Sequence, residues 1–328
     1  MSGLHIGYHA SHEQFAPSEL LDLVQRAEAA GFDGAMSADH FQPWSRRQGQ
    51  SGFSWSWLGA AMQATDVDFG ALCVPGGWRY HPAVVAQAAA TLADMFPGRL
   101  KWIAAGSGEA LNERLIGAGW PDKAARNARL KAGVDIIRAL WRGETVTRDG
   151  PVPVERASLF TRPASPPLIL GAALTPETAR WLGGWADGLI TVAADLEDLR
   201  DIVAAFREGG GEGKPMVLQL HLSFADTDDA ARLAAHDQWR TNAITPALSE
   251  ALSTPDEYDD AAAHVRPEDM DAHVAISSNT ARHLEIIRDR LALGFDEIQL
   301  HNVGRNQVEF IEAFGREVLP ALRSAAGT

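Results

Sequence analysis

Eight short apolar runs, most of them rich in β-formers, recur along the chain, and longer stretches with helical spacing separate most of them. The runs are LHIGYHA (4–10), GAMSAD (34–39), VDFGALCV (67–74), LKWIAAGS (100–107), PLILGA (167–172), DGLITVA (187–193), PMVLQLHLSF (215–224) and DEIQLHNV (296–303). One intervening stretch, PSELLDLVQRAEAAGFDG, sets Leu20, Leu21, Val24, Ala27 and Ala30 at helical spacing and ends at Gly31, a residue suited to a left-handed C-cap. Such alternation implies parallel strands joined by right-handed crossovers. A count of eight favours closure, so the expected fold class is α/β, a (β/α)8 TIM barrel, with an open doubly wound sheet as the alternative.

No internal repeat or linker divides the chain, and a single barrel domain over residues 1–328 is expected. Two segments exceed a minimal barrel: 144–167, rich in proline and turn residues, and 245–269, acidic and irregular. Both are expected over the barrel mouth, where long loops are usually functional. The formal net charge of −14 argues against nucleic acid or an anionic membrane as partner, since both are polyanions. A single cysteine excludes an internal disulfide framework, and no leader or long apolar span is seen, so a cytoplasmic protein acting on a small molecule is expected.

In a barrel the C-terminal strand ends form the active face. Asp39 and His40 end the second run within SADHFQPW, and Trp44 follows in the loop, with Trp55 and Trp57 just beyond. The plain alternative makes Asp39 a helix cap, His40 a solvated neighbour and the tryptophans core. GSGEALNE follows the fourth run: Gly106, Ser107 and Gly108 allow close backbone approach to a ligand, and Glu109 stands at the start of the next helix. A first-turn glutamate also simply complements the helix dipole. Leu111 stands where a dinucleotide fingerprint needs its third glycine, and GGGEGKP (209–215) lacks phosphate-loop spacing and reads as a turn. His5, His9 and His12 show no metal-ligand pairing, so no metal is expected, while His9 and His301 fall at strand ends facing a pocket. Cys73 and Val74 end the third run, where a lone cysteine is commonly a small core residue.

Taken together, YHASHEQFAPSELL, SADHFQPW, WRYHPAVVAQAAATLADMFPGR and GSGEALNE resemble the bacterial luciferase-like superfamily of flavin and deazaflavin oxidoreductases, near its deazaflavin-dependent glucose-6-phosphate dehydrogenases. TPETARWLGGWADGLITV, FREGGGEGKP and LHNVGRNQVEFIEAFGREVLPAL resemble a subfamily thought to use FMN. This resemblance implies a barrel with FMN, or else the deazaflavin coenzyme F420, across the strand ends, and a homodimer. It implies His40 as base for a substrate hydroxyl, Glu109 as proton donor to the reduced ring and Trp44 packed against the reacting centre. Asp39 matches the active-site set, either polarising His40 or binding the cofactor. Cys73 and Val74 match the bulge, carrying a non-prolyl cis peptide, that supports the ring from behind. Gly171, Ala172, Thr175 and Thr191, with Gly106, Ser107 and Gly108, match regions holding the cofactor tail.

One departure bears on substrate. Asp195 and His273 stand where a sugar-phosphate enzyme would present basic residues, so glucose 6-phosphate is not expected. The expected function is hydride transfer between a small organic substrate and the ring. The alternatives are a dioxygen-using FMN monooxygenase, a metal-dependent barrel hydrolase and a non-catalytic flavin-binding barrel.

Overall fold

In the computed structural model, residues 4–192 and 195–326 are described, and all eight runs form strands. They are β1 (His5–Ala10), β2 (Gly34–Ala38), β3 (Asp68–Cys73), β4 (Leu100–Ala105), β5 (Leu168–Ala173), β6 (Gly188–Thr191), β7 (Met216–Ser223) and β8 (Glu297–Asn302). Ala193, the last residue of the sixth expected run, lies outside the described residues. Each strand pairs in parallel with the next, and β8 pairs with β1, so the sheet closes and the open alternative is excluded. A two-residue strand, Ala275–Ile276, adds to the end of β7. Gly31 closes the helix Pro17–Ala30 at φ 97°, as its position after the apolar stripe predicts. Among the described residues no helix is long and apolar enough to cross a membrane.

Side chains alternate along each strand. Ile6, Tyr8, Phe69, Ala71, Cys73, Leu218 and Leu220 point outward into the core between sheet and helices. Met36, Trp102, Ala104, Leu170, Ile190 and Val217 fill the barrel interior. Large interior side chains are accommodated by missing ones opposite. A Cβ at Gly70 would stand 2.1 Å from Trp102 Cζ2, and one at Gly7 would stand 2.1 Å from Gln299 Oε1. Trp102 Nε1 donates across the barrel to both oxygens of Glu297 at 3.1 Å, and Gln299 Nε2 donates to the same carboxylate at 2.5 Å. This network plugs the closed end and leaves the opposite end for chemistry.

The two insertions part company. Residues 245–269 lie after β7, on the active face, as Pro246–Ser249, Pro255–Ala261 and the start of the 3-10 helix Pro267–Ala272. Arg46 binds Asp256 and its N–H donates to Asp259 at 2.9 Å, tying this insertion over the loop after β2. Segment 144–167 enters as an αβ connection, and its tip reaches the loop after β3, where Arg129 donates to Gly76 O at 2.8 Å and to Pro151 O at 2.7 Å. It follows the helix Lys123–Trp141 and folds as a hairpin, Val146–Arg148 against Val154–Ala157, with Val146, Val152 and Val154 buried in the outer core. Those valines need apolar cover that only the helix layer provides.

Candidate active site

The floor at the open end has two unlike halves. Ala38, Leu72 and Ala172 line one side with small or flexible apolar groups, while β7, β8 and β1 contribute His221, His301 and His9. The His9 and His301 rings lie 4.1 Å apart, and Trp239 meets His301 edge-on at 4.7 Å. Burial, the largest influence, drives all three imidazoles down, His9 to about 3 and His221 to about 4, so they stand neutral. His5 lies instead at the closed end beside Asp68 and Glu297, and no metal-holding group exists among the described residues.

His40 is paired with a residue that its sequence neighbourhood conceals. Its Nδ1 hydrogen-bonds Glu13, a buried carboxylate from the loop after β1 that also accepts from Ser11 Oγ at 2.9 Å. Burial pushes the imidazole down, but the Glu13 charge and hydrogen bond outweigh it and lift His40 to about 9. Glu13 responds oppositely: burial pushes its carboxyl up, and His40 holds it down at about 2. The Trp44 ring stands edge-on to His40 at 5.3 Å and to Tyr258 of the insertion at 5.4 Å. Trp55 and Trp57 are core, with Trp57 Nε1 donating to Pro17 O at 3.1 Å.

Across the mouth, Glu109 occupies the N-cap position of the short helix Ala110–Glu113 and makes no side-chain cap bond. Burial pushes its carboxyl up; the His40 charge pulls it partly back. Asn112 holds the two sides in register, its Oδ1 accepting from Phe41 N at 2.8 Å and Gln42 N at 3.0 Å. His40 and Glu109 thus come close enough at the strand ends for each charge to act on the other.

Asp39 does not polarise His40. Its carboxylate turns to Arg79 at 3.4 Å, and Arg79 is shared with Glu113 at 3.0 Å. Asp39 Oδ1 is buried with no hydrogen-bond partner, as is Thr191 Oγ1, and both suit a ligand's polar groups. Gly108, at φ 87°, lets the backbone turn where a Cβ would press on Val74 at 3.0 Å and Trp120 at 3.1 Å. Ser107 Oγ accepts from Lys123 Nζ at 2.9 Å, a cation that the local sequence did not flag. Thr175 caps the helix Pro176–Gly183, and Ala172 reaches the floor.

Two side chains assigned to the cofactor face away from it. Cys73 points into the outer core, and burial pushes its thiol up, so only its backbone borders the mouth, its carbonyl accepting from Gly106 N at 3.0 Å. Gly171 also faces outward, because a Cβ there would strike Leu182 at 2.5 Å; close helix packing explains the glycine. The described residues contain no cis peptide bond, so the expected cis bond at Cys73–Val74 is not found, and the pairing of β3 with β4 is irregular only at Phe69–Gly70.

Residues 2–297 match the family described as luciferase-like monooxygenase. The chain belongs to that family. It is therefore an oxidoreductase relative whose whole length is covered by close kin. It is 36% identical over 99% of its length to the F420-dependent glucose-6-phosphate dehydrogenase of Nakamurella multipartita, covering 98% of that protein. It is 33% identical to the same-named enzyme of Mycolicibacterium smegmatis, covering 99% of this chain and all 100% of that one. Among solved structures, an F420-dependent secondary alcohol dehydrogenase in complex with an F420-acetone adduct superposes with a TM-score of 0.91. The two are 31% identical over 98% of this chain and 99% of that one. The tetrahydromethanopterin reductase of Methanopyrus kandleri, at 19% identity and a TM-score of 0.79 over 98% of this luciferase-like chain and 100% of its own, shares the fold.

Proposed function

We propose that this protein oxidises an uncharged alcohol, or reduces the matching carbonyl, with a bound deazaflavin of the F420 type, FMN being the second candidate. The observation that carries this reading is the Glu13–His40 pair standing across the mouth from a protonatable Glu109. The ring, when bound, supplies a site that takes up or gives back hydride. His40 removes the substrate O–H proton as hydride leaves carbon, and Glu13 stabilises the imidazolium that results. Glu109 holds the proton that completes ring reduction, Trp44 walls the reacting centre, and Asp39, Thr191 and the Gly106–Gly108 backbone hold the cofactor.

Substrate charge follows from what surrounds the mouth. Asp195 caps the helix Leu196–Phe206, accepting from Glu197 N at 2.6 Å, and burial pushes the His273 imidazole down, so neither offers a cation to a phosphate. Arg79 is already claimed by two carboxylates. Lys123 Nζ donates to Ser107 Oγ at 2.9 Å in the loop read as holding the cofactor tail, which leaves a dianionic substrate without a cation cluster of its own and weakly bound. The relatives' named substrate, glucose 6-phosphate, is therefore set aside in favour of a neutral alcohol.

Glu109→Gln tests the cofactor as well as the acid. A deazaflavin takes hydride at carbon and needs a proton at a ring nitrogen, so its reduction by alcohol slows about ten- to a thousandfold in the variant. Reduced FMN can remain an anion, and its reduction slows less than about tenfold. Stopped-flow absorbance under anaerobic conditions reads both. Tight FMN binding, with one atom of dioxygen appearing in the product when reduced FMN is supplied, would replace the dehydrogenase reading by a monooxygenase.

A homodimer is also proposed. Phe53 and Val84, half exposed on adjacent helices, border a groove of about 350 Å³ lined by Trp55, Tyr80 and Leu92. Sedimentation at micromolar concentration is expected to give twice the chain mass, and Val84→Glu to shift it toward monomer.

A further inference from the structure

We propose that Arg79 and Glu113 are positioning residues that keep Asp39 a strong hydrogen-bond acceptor for a ring N–H of the bound cofactor. The inference rests on the flavin-type reading above and extends it to residues that touch no substrate. Three connections meet here: Asp39 follows β2, Arg79 lies in the loop after β3, and Glu113 ends the short helix after β4. Their side chains are 1%, 6% and 1% exposed, so the contacts operate without solvent screening.

Arg79 is shared unequally. Its Nε donates to Glu113 Oε1 at 3.0 Å and its backbone N–H to Glu113 Oε2 at 3.2 Å. Toward Asp39, Nη2 donates to the backbone carbonyl at 2.6 Å but reaches carboxylate Oδ2 only at 3.4 Å. Nη1 donates to the Tyr80 hydroxyl at 3.1 Å. Glu113 therefore has the better grip, and the Asp39 carboxylate is anchored through its backbone while its charge is only partly satisfied. Oδ1 has no well-formed hydrogen bond, although the neighbouring Tyr80 hydroxyl acts on the same carboxylate. A buried acceptor in that state is costly alone and favourable once a donor arrives. The neighbouring Cys73 thiol does not relieve it, since that side chain points outward into the core between sheet and helices.

Without the Glu113 charge, Arg79 is free to close onto Asp39 and take both carboxylate oxygens as a bidentate pair. Asp39 then becomes a poorer acceptor although nothing at the ring has changed. Glu113→Gln removes that charge while keeping shape, and Asp39→Asn removes the acceptor's charge directly.

The test is a double-mutant cycle on binding of deazaflavin, and separately of FMN, by fluorescence titration of the full chain. Each single substitution is expected to weaken binding about ten- to a hundredfold, and the double variant to match Asp39→Asn within about twofold. The absorbance maximum of the bound ring is expected to shift the same way in both singles. Losses that multiply in the double variant, or Glu113→Gln binding within about twofold of wild type, overturn the proposal. Should Glu113→Gln fail to fold, Glu113→Asp, which keeps the charge but shortens the reach to Arg79 and so loosens the same grip, takes its place in the cycle and is judged by the same outcomes. Wild-type protein that binds neither ring would instead overturn the cofactor reading on which this one rests.

Discussion

His40→Ala is expected to lower alcohol oxidation by about 10²–10⁴ while cofactor affinity stays within about threefold. The ring is buried at the strand end and coupled to Glu13 rather than to Asp39, so its removal takes away the base without disturbing the groups that hold the cofactor. A pH profile separates this from simple loss of shape. Because Glu13 lifts His40 to about 9, the neutral, proton-accepting form grows as pH rises toward that value, and wild-type oxidation climbs with it. Glu13→Gln removes the main upward influence and leaves burial opposed only by the weaker pull of Glu109, so the rising limb moves to lower pH. Unchanged turnover in His40→Ala, or a limb that stays in place in Glu13→Gln, would show that another group takes the proton.

Gly70→Ala is expected to be severely destabilising for a change of one methyl group. The added Cβ would fall 2.1 Å from the Trp102 indole, which closely packed neighbours and its bonds to Glu297 hold in place. Overpacking ordinarily costs about 1–3 kcal/mol, and here the indole must also give up its hydrogen bonds to the buried Glu297 carboxylate, so a loss of about 3 kcal/mol or more is expected. Urea unfolding measures it. Trp102→Leu in the same chain restores the space, and the double variant should be destabilised by less than the sum of the two singles. A near-wild-type midpoint for Gly70→Ala would mean that the interior yields more readily than its geometry implies.

The barrel was legible because its signal is local. Runs such as LHIGYHA and DEIQLHNV carry their strand identity in a few consecutive residues, and their edges agree with β1 and β8 to within a residue. His40, Trp44 and Glu109 were legible for a related reason, since they follow strands directly and fall on the active face. What pairs with them was not. Glu13 is 27 residues from His40, and Arg79 lies 34 residues from Glu113, so these contacts exist only once the barrel closes. Asp39 misled through adjacency: successive residues leaving a strand point to opposite sides, which sends its carboxylate to Arg79 and the His40 ring to Glu13. The same alternation turns Cys73 and Gly171 outward, a consequence that strand parity could have revealed from the registers alone.

The interlocking of Gly7 with Gln299 and of Gly70 with Trp102 has a consequence for how such an enzyme can diversify. A single substitution at either member of a pair leaves a clash or a void, so viable change at the closed end requires two coordinated mutations. At the open end, Trp44 and Tyr258 meet through a solvent-flanked loop and an insertion that can be altered one residue at a time. Selection for a new substrate is therefore channelled to the rim, and catalytic lineages built on this scaffold would be expected to keep one foundation while exchanging their roofs.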